Sequence, residues 1–114
     1  MAAPKIAPPL SNAVTHILLA LARRDLHGYG IMQEIAAISG GEYKLGPGTL
    51  YDNLKTLLAS GVVTEFTEKN VPGEARRLYH LTDSGAVVLD AELKRLRNVV
   101  QAGRKRLPRI GEAQ

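Results

Sequence analysis

The stretch from Leu45 to Gly61 constrains this 114-residue chain more than any other. It reads Leu-Gly-Pro-Gly-Thr-Leu-Tyr-Asp-Asn-Leu-Lys-Thr-Leu-Leu-Ala-Ser-Gly, a single helix with both ends marked. Pro47 suits the first turn, where its missing N–H costs nothing and its fixed φ is already helical. Gly61 suits the left-handed position just past a helix end. Leu50, Leu54, Leu57 and Leu58 recur at helical spacing and share one face. Thr49, Asp52, Lys55, Thr56 and Ala59 lie opposite, with Tyr51 and Asn53 on the flanks. Such a helix is held from behind and presents a polar front. The major groove of a duplex fits that front, and an amphipathic helix covering a core is the plainer alternative.

Length and composition set the frame. One domain of this size buries a sizeable share of its unfolded surface. Hydrophobic residues make up 45% of the chain and aromatics only 4%, so the expected core is aliphatic. The absence of cysteine removes disulfides, thiol nucleophiles and thiolate metal sites, and fits a reducing compartment such as the cytoplasm. The net charge of +4 is modest, so its placement matters more than its size. From Leu93 to Gly111 there are seven basic residues and no acidic one. Residues 1–10 hold three prolines and no apolar run, which reads as a loose arm and as neither a signal peptide nor a membrane span.

The remaining elements follow from period and punctuation. Ser11 or Asn12 caps a helix to about Arg23, with Val14, Ile17, Leu18 and Leu21 as its inner stripe. Ala13, Leu19, Ala20 and Ala22 widen that stripe, so the helix needs more than one partner. A second helix runs from about Gly28 to Ser39, with Ile31, Ile35 and Ile38 on one face, and Gly40-Gly41 ends it. Residues 42–45 read as a stub of strand. After Gly61 the period changes to alternation over 62–68 and again over 77–82, with Pro72-Gly73 as a turn between. Thr82 or Asp83 then caps a long helix from about Ser84 to Arg106, stopped before Pro108. Within it Ala86, Leu89, Leu93, Leu96, Val100, Gly103 and Leu107 are spaced 3, 4, 3, 4, 3 and 4 residues apart. That seven-residue repeat calls for a helix packed along its length, and a second copy of the chain is the preferred partner.

The fold class read from this order is mainly α with a small antiparallel β hairpin. The arrangement is a winged helix-turn-helix with a long C-terminal dimerisation helix. The expected organisation is a flexible arm over 1–10, a DNA-binding domain over 11–82, a dimerisation helix over 83–107 and a flexible tail over 108–114. In this arrangement the third helix enters the major groove, and the hairpin reaches along the backbone toward the next minor groove.

Several motifs resemble PadR-family transcriptional regulators. They are His27-Gly28-Tyr29-Gly30-Ile31, Gly46-Pro47-Gly48-Thr49-Leu50-Tyr51 with Leu54 and Leu57, Gly61-Val62-Val63, and Arg76-Arg77-Leu78-Tyr79-His80-Leu81-Thr82-Asp83-Ser84-Gly85. The resemblance covers about residues 10 to 100. It implies a homodimeric winged-helix repressor, often released from DNA by a small ligand. It also implies DNA contacts from Tyr29, from Thr49 to Tyr51 and from basic residues of the wing, with the last helix and the first forming the dimer. Glu74, Ala75 and Leu78 make this wing less basic than is usual in the family.

The candidate DNA-contacting residues are therefore Tyr29, Thr49, Tyr51, Asn53, Lys55, Lys69, Arg76 and Arg77. The candidate dimerisation residues are Leu89, Leu93, Leu96, Val100 and Leu107. Tyr29 and Tyr51 can each place a phenol on a phosphate, which positions without reading sequence. Asn53 has the chemistry to read adenine, and equally to hydrogen-bond within its own helix. Asp52 is repelled by phosphate yet can accept from a cytosine amino group, and it can also cap or pair locally with Lys55 or Thr56; all of these stay open. Arg104, Lys105, Arg106 and Arg109 can hold flanking DNA or serve as cations at a helix C-terminus.

The expected partners are double-stranded DNA and a second copy of the chain, with no cofactor and no membrane. A small-molecule effector stays open, and with no tryptophan present an aromatic stacking pocket for a flat drug is not expected. The alternative function is a winged-helix module that binds protein without DNA. Catalysis has no support: His16, His27 and His80 are scattered, and Gly28-x-Gly30 lacks the third glycine of a dinucleotide fingerprint. Lys55→Ala should weaken binding to all sequences alike and lower the salt slope by about one unit, measured by anisotropy across a salt series. A changed sequence preference would refute the phosphate role of Lys55.

Overall fold

The computed structural model describes residues 4–71 and 74–108, with the side chains of 69–71, 74 and 75 left undescribed. The elements are α1 (Asn12–Arg23), β1 (Leu26–His27), α2 (Gly28–Ile38), α3 (Pro47–Ser60), β2 (Val63–Val71), β3 (Glu74–Leu81) and α4 (Asp83–Arg106). The three strands form an antiparallel sheet in the order β1-β3-β2. This is the winged helix-turn-helix order, with a long C-terminal helix.

Local signals set most helix ends. The Ser11 side chain accepts from the Val14 N–H at 3.1 Å and caps α1. The His27 ring caps α2 in the same way, its Nδ1 accepting from the Gly30 N–H at 3.0 Å. Pro47 opens α3 and Gly61, at φ 81°, closes it. Leu45 before the cap and Leu50 four positions into the helix are both buried, the two places of a hydrophobic staple. Thr82 caps α4 by accepting from the Gly85 N–H at 3.1 Å.

The core is aliphatic, as composition requires. Ile17, Leu18 and Leu21 of α1, Ile31 and Ile35 of α2, and Leu50, Leu54 and Leu57 of α3 are all nearly or wholly inaccessible. Val62, Val63, Tyr79 and Leu89 close it from the sheet and from α4. The joint between α3, β2 and α4 is tight. The Thr82 N–H donates to the Val62 carbonyl at 3.1 Å, and its hydroxyl donates to the Gly61 carbonyl at 2.8 Å. A Cβ on Gly85 would run into the Val62 carbonyl oxygen, so only glycine fits there.

Several expectations change. Residues 42–45 form no strand; the third strand is β1, which exists through the pairing of Leu26 with Tyr79 and His27 with Leu78. Both hairpin arms run further toward the turn than alternation alone indicated, because cross-strand pairing extends from Val63↔Leu81 to Val71↔Glu74. Ile38 is exposed, since α2 ends there and leaves its last turn outside the core. Leu89, expected on the dimerisation seam, is 5% exposed and packs into the core of its own chain. The tail from Arg109 onward, with the Arg109 part of its basic cluster, lies outside the described residues, as do the side chains of Lys69, Glu74 and Ala75 in the wing.

The arm expected over residues 1–10 is tied down where it is described. Ile6 and Leu10 are half-buried against the core. The Leu10 N–H donates to the carboxylate of Glu92, which is only 1% exposed although it sits on α4. Arg95 covers the same carboxylate with a fork, Nε to Oε1 at 2.8 Å and Nη2 to Oε2 at 2.9 Å. The Arg95 hydrogen bonds hold the Glu92 carboxyl below its ordinary value of 4.5, outweighing its desolvation, with the Leu10 N–H adding to the effect. The stability this contributes is therefore present above about pH 4.5 and is lost as pH falls through the lowered folded value. Glu92→Gln should remove that part of the acid dependence while leaving a smaller pH-independent loss, measured as urea midpoints across a pH series. Identical acid profiles for the two proteins would refute the latch.

Candidate nucleic-acid interface

A polar face forms where α2 begins, α3 begins and the hairpin departs. Tyr29, in the first turn of α2, is 64% exposed. Thr49, Asp52, Lys55 and Thr56 lie exposed along α3, with Leu50, Leu54 and Leu57 buried behind them. The division between back and front read from the sequence is the division observed.

A cleft of about 570 Å³ lies between α3 and the wing, lined by His27, Gly28, Tyr29, Tyr51, Arg76, Arg77 and Tyr79. It gathers four of the candidate DNA-contacting residues: Tyr29, Tyr51, Arg76 and Arg77. Thr49, Asn53 and Lys55 do not line it and stand further along α3. Tyr51 is 49% exposed, with its ring lying across Gly28 and its edge open to the cleft. Asn53 is half-buried, and its amide nitrogen donates to the Thr49 carbonyl at 2.8 Å. That bond occupies one donor within the helix, which leaves Asn53 less to offer a base edge than its chemistry alone implied.

The arginines are poised differently. Arg76 and Arg77 are both exposed. Arg77 is steadied from two sides, by the Glu65 carboxylate of β2 at 3.5 Å and by a hydrogen bond with the Tyr79 phenol. Exposed pairs of this length contribute little stability, so the guanidinium is oriented without being consumed. Burial pushes the Tyr79 phenol above its ordinary value of 10.0, with the Arg77 hydrogen bond pulling the other way, so the phenol is neutral at physiological pH. From the sequence, Tyr79 is a residue of the alternating strand over 77–82 and of the Arg76–Gly85 motif, with no site role of its own. Its role under the cleft, like those of Gly28 and Glu65, depends on pairing across the sheet and between helices.

Among the described residues no group of three or more His, Cys, Asp or Glu could hold a metal ion, and no helix is long and apolar enough to cross a membrane. Val87, Leu93, Leu96, Val99 and Val100 of α4 and Leu107 just past its end are exposed. From Leu93 to Arg106 every residue of the helix is exposed except Arg95 and Gly103, which are half-exposed.

Comparison with known proteins accords with this architecture. The transcriptional regulator PadR-like family matches residues 17–91, which takes in the core, the cleft and the first turns of α4. A transcriptional regulator of Mycobacterium tuberculosis is 34% identical over 86 residues, covering 75% of this chain and 77% of that protein. A PadR-family regulator of Clostridium difficile shares the fold with a TM-score of 0.72 at 22% identity, covering 83% of this chain and 97% of that one. Bacillus subtilis PadR, solved in complex with operator DNA, is similar at a TM-score of 0.67 and 28% identity, covering 75% of this chain and 48% of that one. With its core, its sheet order and the helix ends above in place, the chain belongs to the PadR-like family of transcriptional regulators.

Proposed function

We propose that this protein regulates transcription by binding duplex DNA as a homodimer, most simply as a cytoplasmic repressor at a palindromic operator. The observation that carries the reading is the convergence of Tyr29, Tyr51, Arg76 and Arg77 on one open cleft beside the exposed front of α3. Two phenols and two guanidiniums are phosphate-binding chemistry, and the α3 front beside them has the width of a major groove. The operator DNA in the complex of the related Bacillus subtilis protein supports the same use here. In this reading Thr49 and Lys55 approach the duplex along α3.

Residues 11–82 then bind DNA and residues 83–107 pair the protomers. The seam consists of Leu93, Leu96, Val100 and Leu107, with Val99 beside them, because Leu89 belongs to the core. An exposed apolar stripe of this length on a rod leaving the globule favours a partner helix. The two arginines of the cleft favour a duplex over a protein-only partner. No catalytic role is assigned. A small effector, if one acts, enters between protomers near α1 and α4.

Selection from a random duplex library tests the whole reading. The wild-type protein should recover a palindrome with half-sites spaced by about one or two helical turns, and binding should weaken steeply with salt. A protein that sediments as a monomer, or that recovers no duplex, refutes the reading.

A further inference from the structure

Gly28 is the first residue of α2 and is buried. Nothing in its backbone calls for glycine, because the positive-φ glycines among the described residues are Gly40, Gly41 and Gly61. What calls for it is Tyr51. A Cβ on Gly28 would overlap the Tyr51 phenol oxygen and stand 2.9 Å from Cζ and 3.4 Å from Cε1. The end of the Tyr51 ring therefore rests on a bare Cα. The residue is nonetheless 49% exposed and lines the open cleft together with Gly28.

We infer that Gly28 is a positioning residue for DNA binding: its missing side chain is the seat that holds the Tyr51 phenol beside Tyr29, Arg76 and Arg77. The inference rests on the DNA-binding reading of the cleft. A phenol contacts a phosphate only with its oxygen about 2.5–3.0 Å from the acceptor, and a displacement on the order of 1 Å breaks the contact. A methyl group at residue 28 forces such a displacement. The clashing atom is the far end of a flexible side chain, so the ring can swing out and the fold can persist. Gly46 and Gly48, on the same face at the start of α3, have open space around them and perform no such service.

Gly28→Ala tests this. The variant should stay folded, since alanine is the better helix former. Its affinity for the duplex recovered by the wild-type protein should fall about tenfold, the cost of one lost charge-assisted hydrogen bond. In a Tyr51→Ala background the same substitution should cost nothing further, because no ring remains to displace. The ring resonances of Tyr51 should shift in Gly28→Ala without DNA. Unchanged affinity in Gly28→Ala, or an equal loss in the Tyr51→Ala background, overturns the inference while leaving the DNA-binding reading intact. If Gly28→Ala does not fold, Gly28→Ala/Tyr51→Ala decides: recovery of the fold supports the seat, and a double variant that stays unfolded overturns it. A wild-type protein that recovers no duplex overturns the DNA-binding reading, and this inference with it.

Discussion

Three leucines hold the molecule's working surface in place. Leu50, Leu54 and Leu57 anchor α3 against Ile17, Leu18 and Leu21 of α1 and Ile31 and Ile35 of α2. Removing any one of those leucine side chains would be worth about 2–5 kcal/mol, against a whole-domain stability of about 5–15 kcal/mol. Because the back of α3 is fixed so firmly, its front needs no packing partners of its own. Thr49, Asp52, Lys55 and Thr56 are free to be chosen for what they meet outside. The aliphatic composition serves the same end, since branched side chains pack three short helices closely and leave Tyr29 and Tyr51 for the polar face, while Tyr79 joins the core.

A second fixed joint carries that geometry onward. Gly61, Val62, Thr82 and Gly85 tie the end of α3, the start of β2 and the start of α4 together through a backbone hydrogen bond, a hydroxyl-to-carbonyl hydrogen bond and a close approach only glycine permits. The direction of α4 is thereby set relative to α3. Glu92 adds a third tie, joining α4 to the N-terminal segment through Leu10. Beyond that tie the helix makes almost no contact with its own domain, and its character changes from core element to projecting rod.

What could be read from the sequence was what local chemistry decides. Pro47 and Gly61 bounded α3, Ser11 or Asn12 and Thr82 or Asp83 marked the starts of α1 and α4, and leucine spacing told the back of α3 from its front, because each signal acts within a few residues. What could not be read was decided across the chain. β1 is two residues long and exists only through its pairing with β3, more than 50 residues later. Leu89 fitted the heptad as well as Leu93 did, but a period says only that a neighbour is wanted, not whether it belongs to the same chain. Asn53 had two chemistries open to it, and the reach of its amide to Thr49 came from side-chain geometry that spacing does not encode. The cleft is the extreme case: its residues come from three separate segments, and no single segment announces it.

The change from buried to exposed along α4 between Glu92 and Leu93 has a further consequence. The inward half of the helix is indexed to the globule by Leu89 and Glu92, and the outward half carries the apolar stripe. One continuous helix joins them, so the stripe's compass bearing follows from residue count alone. Each residue inserted at that boundary would turn the stripe by about 100° and push it about 1.5 Å further out. Length changes there would be felt as a swivel, whereas changes after Leu107 would leave the bearing untouched.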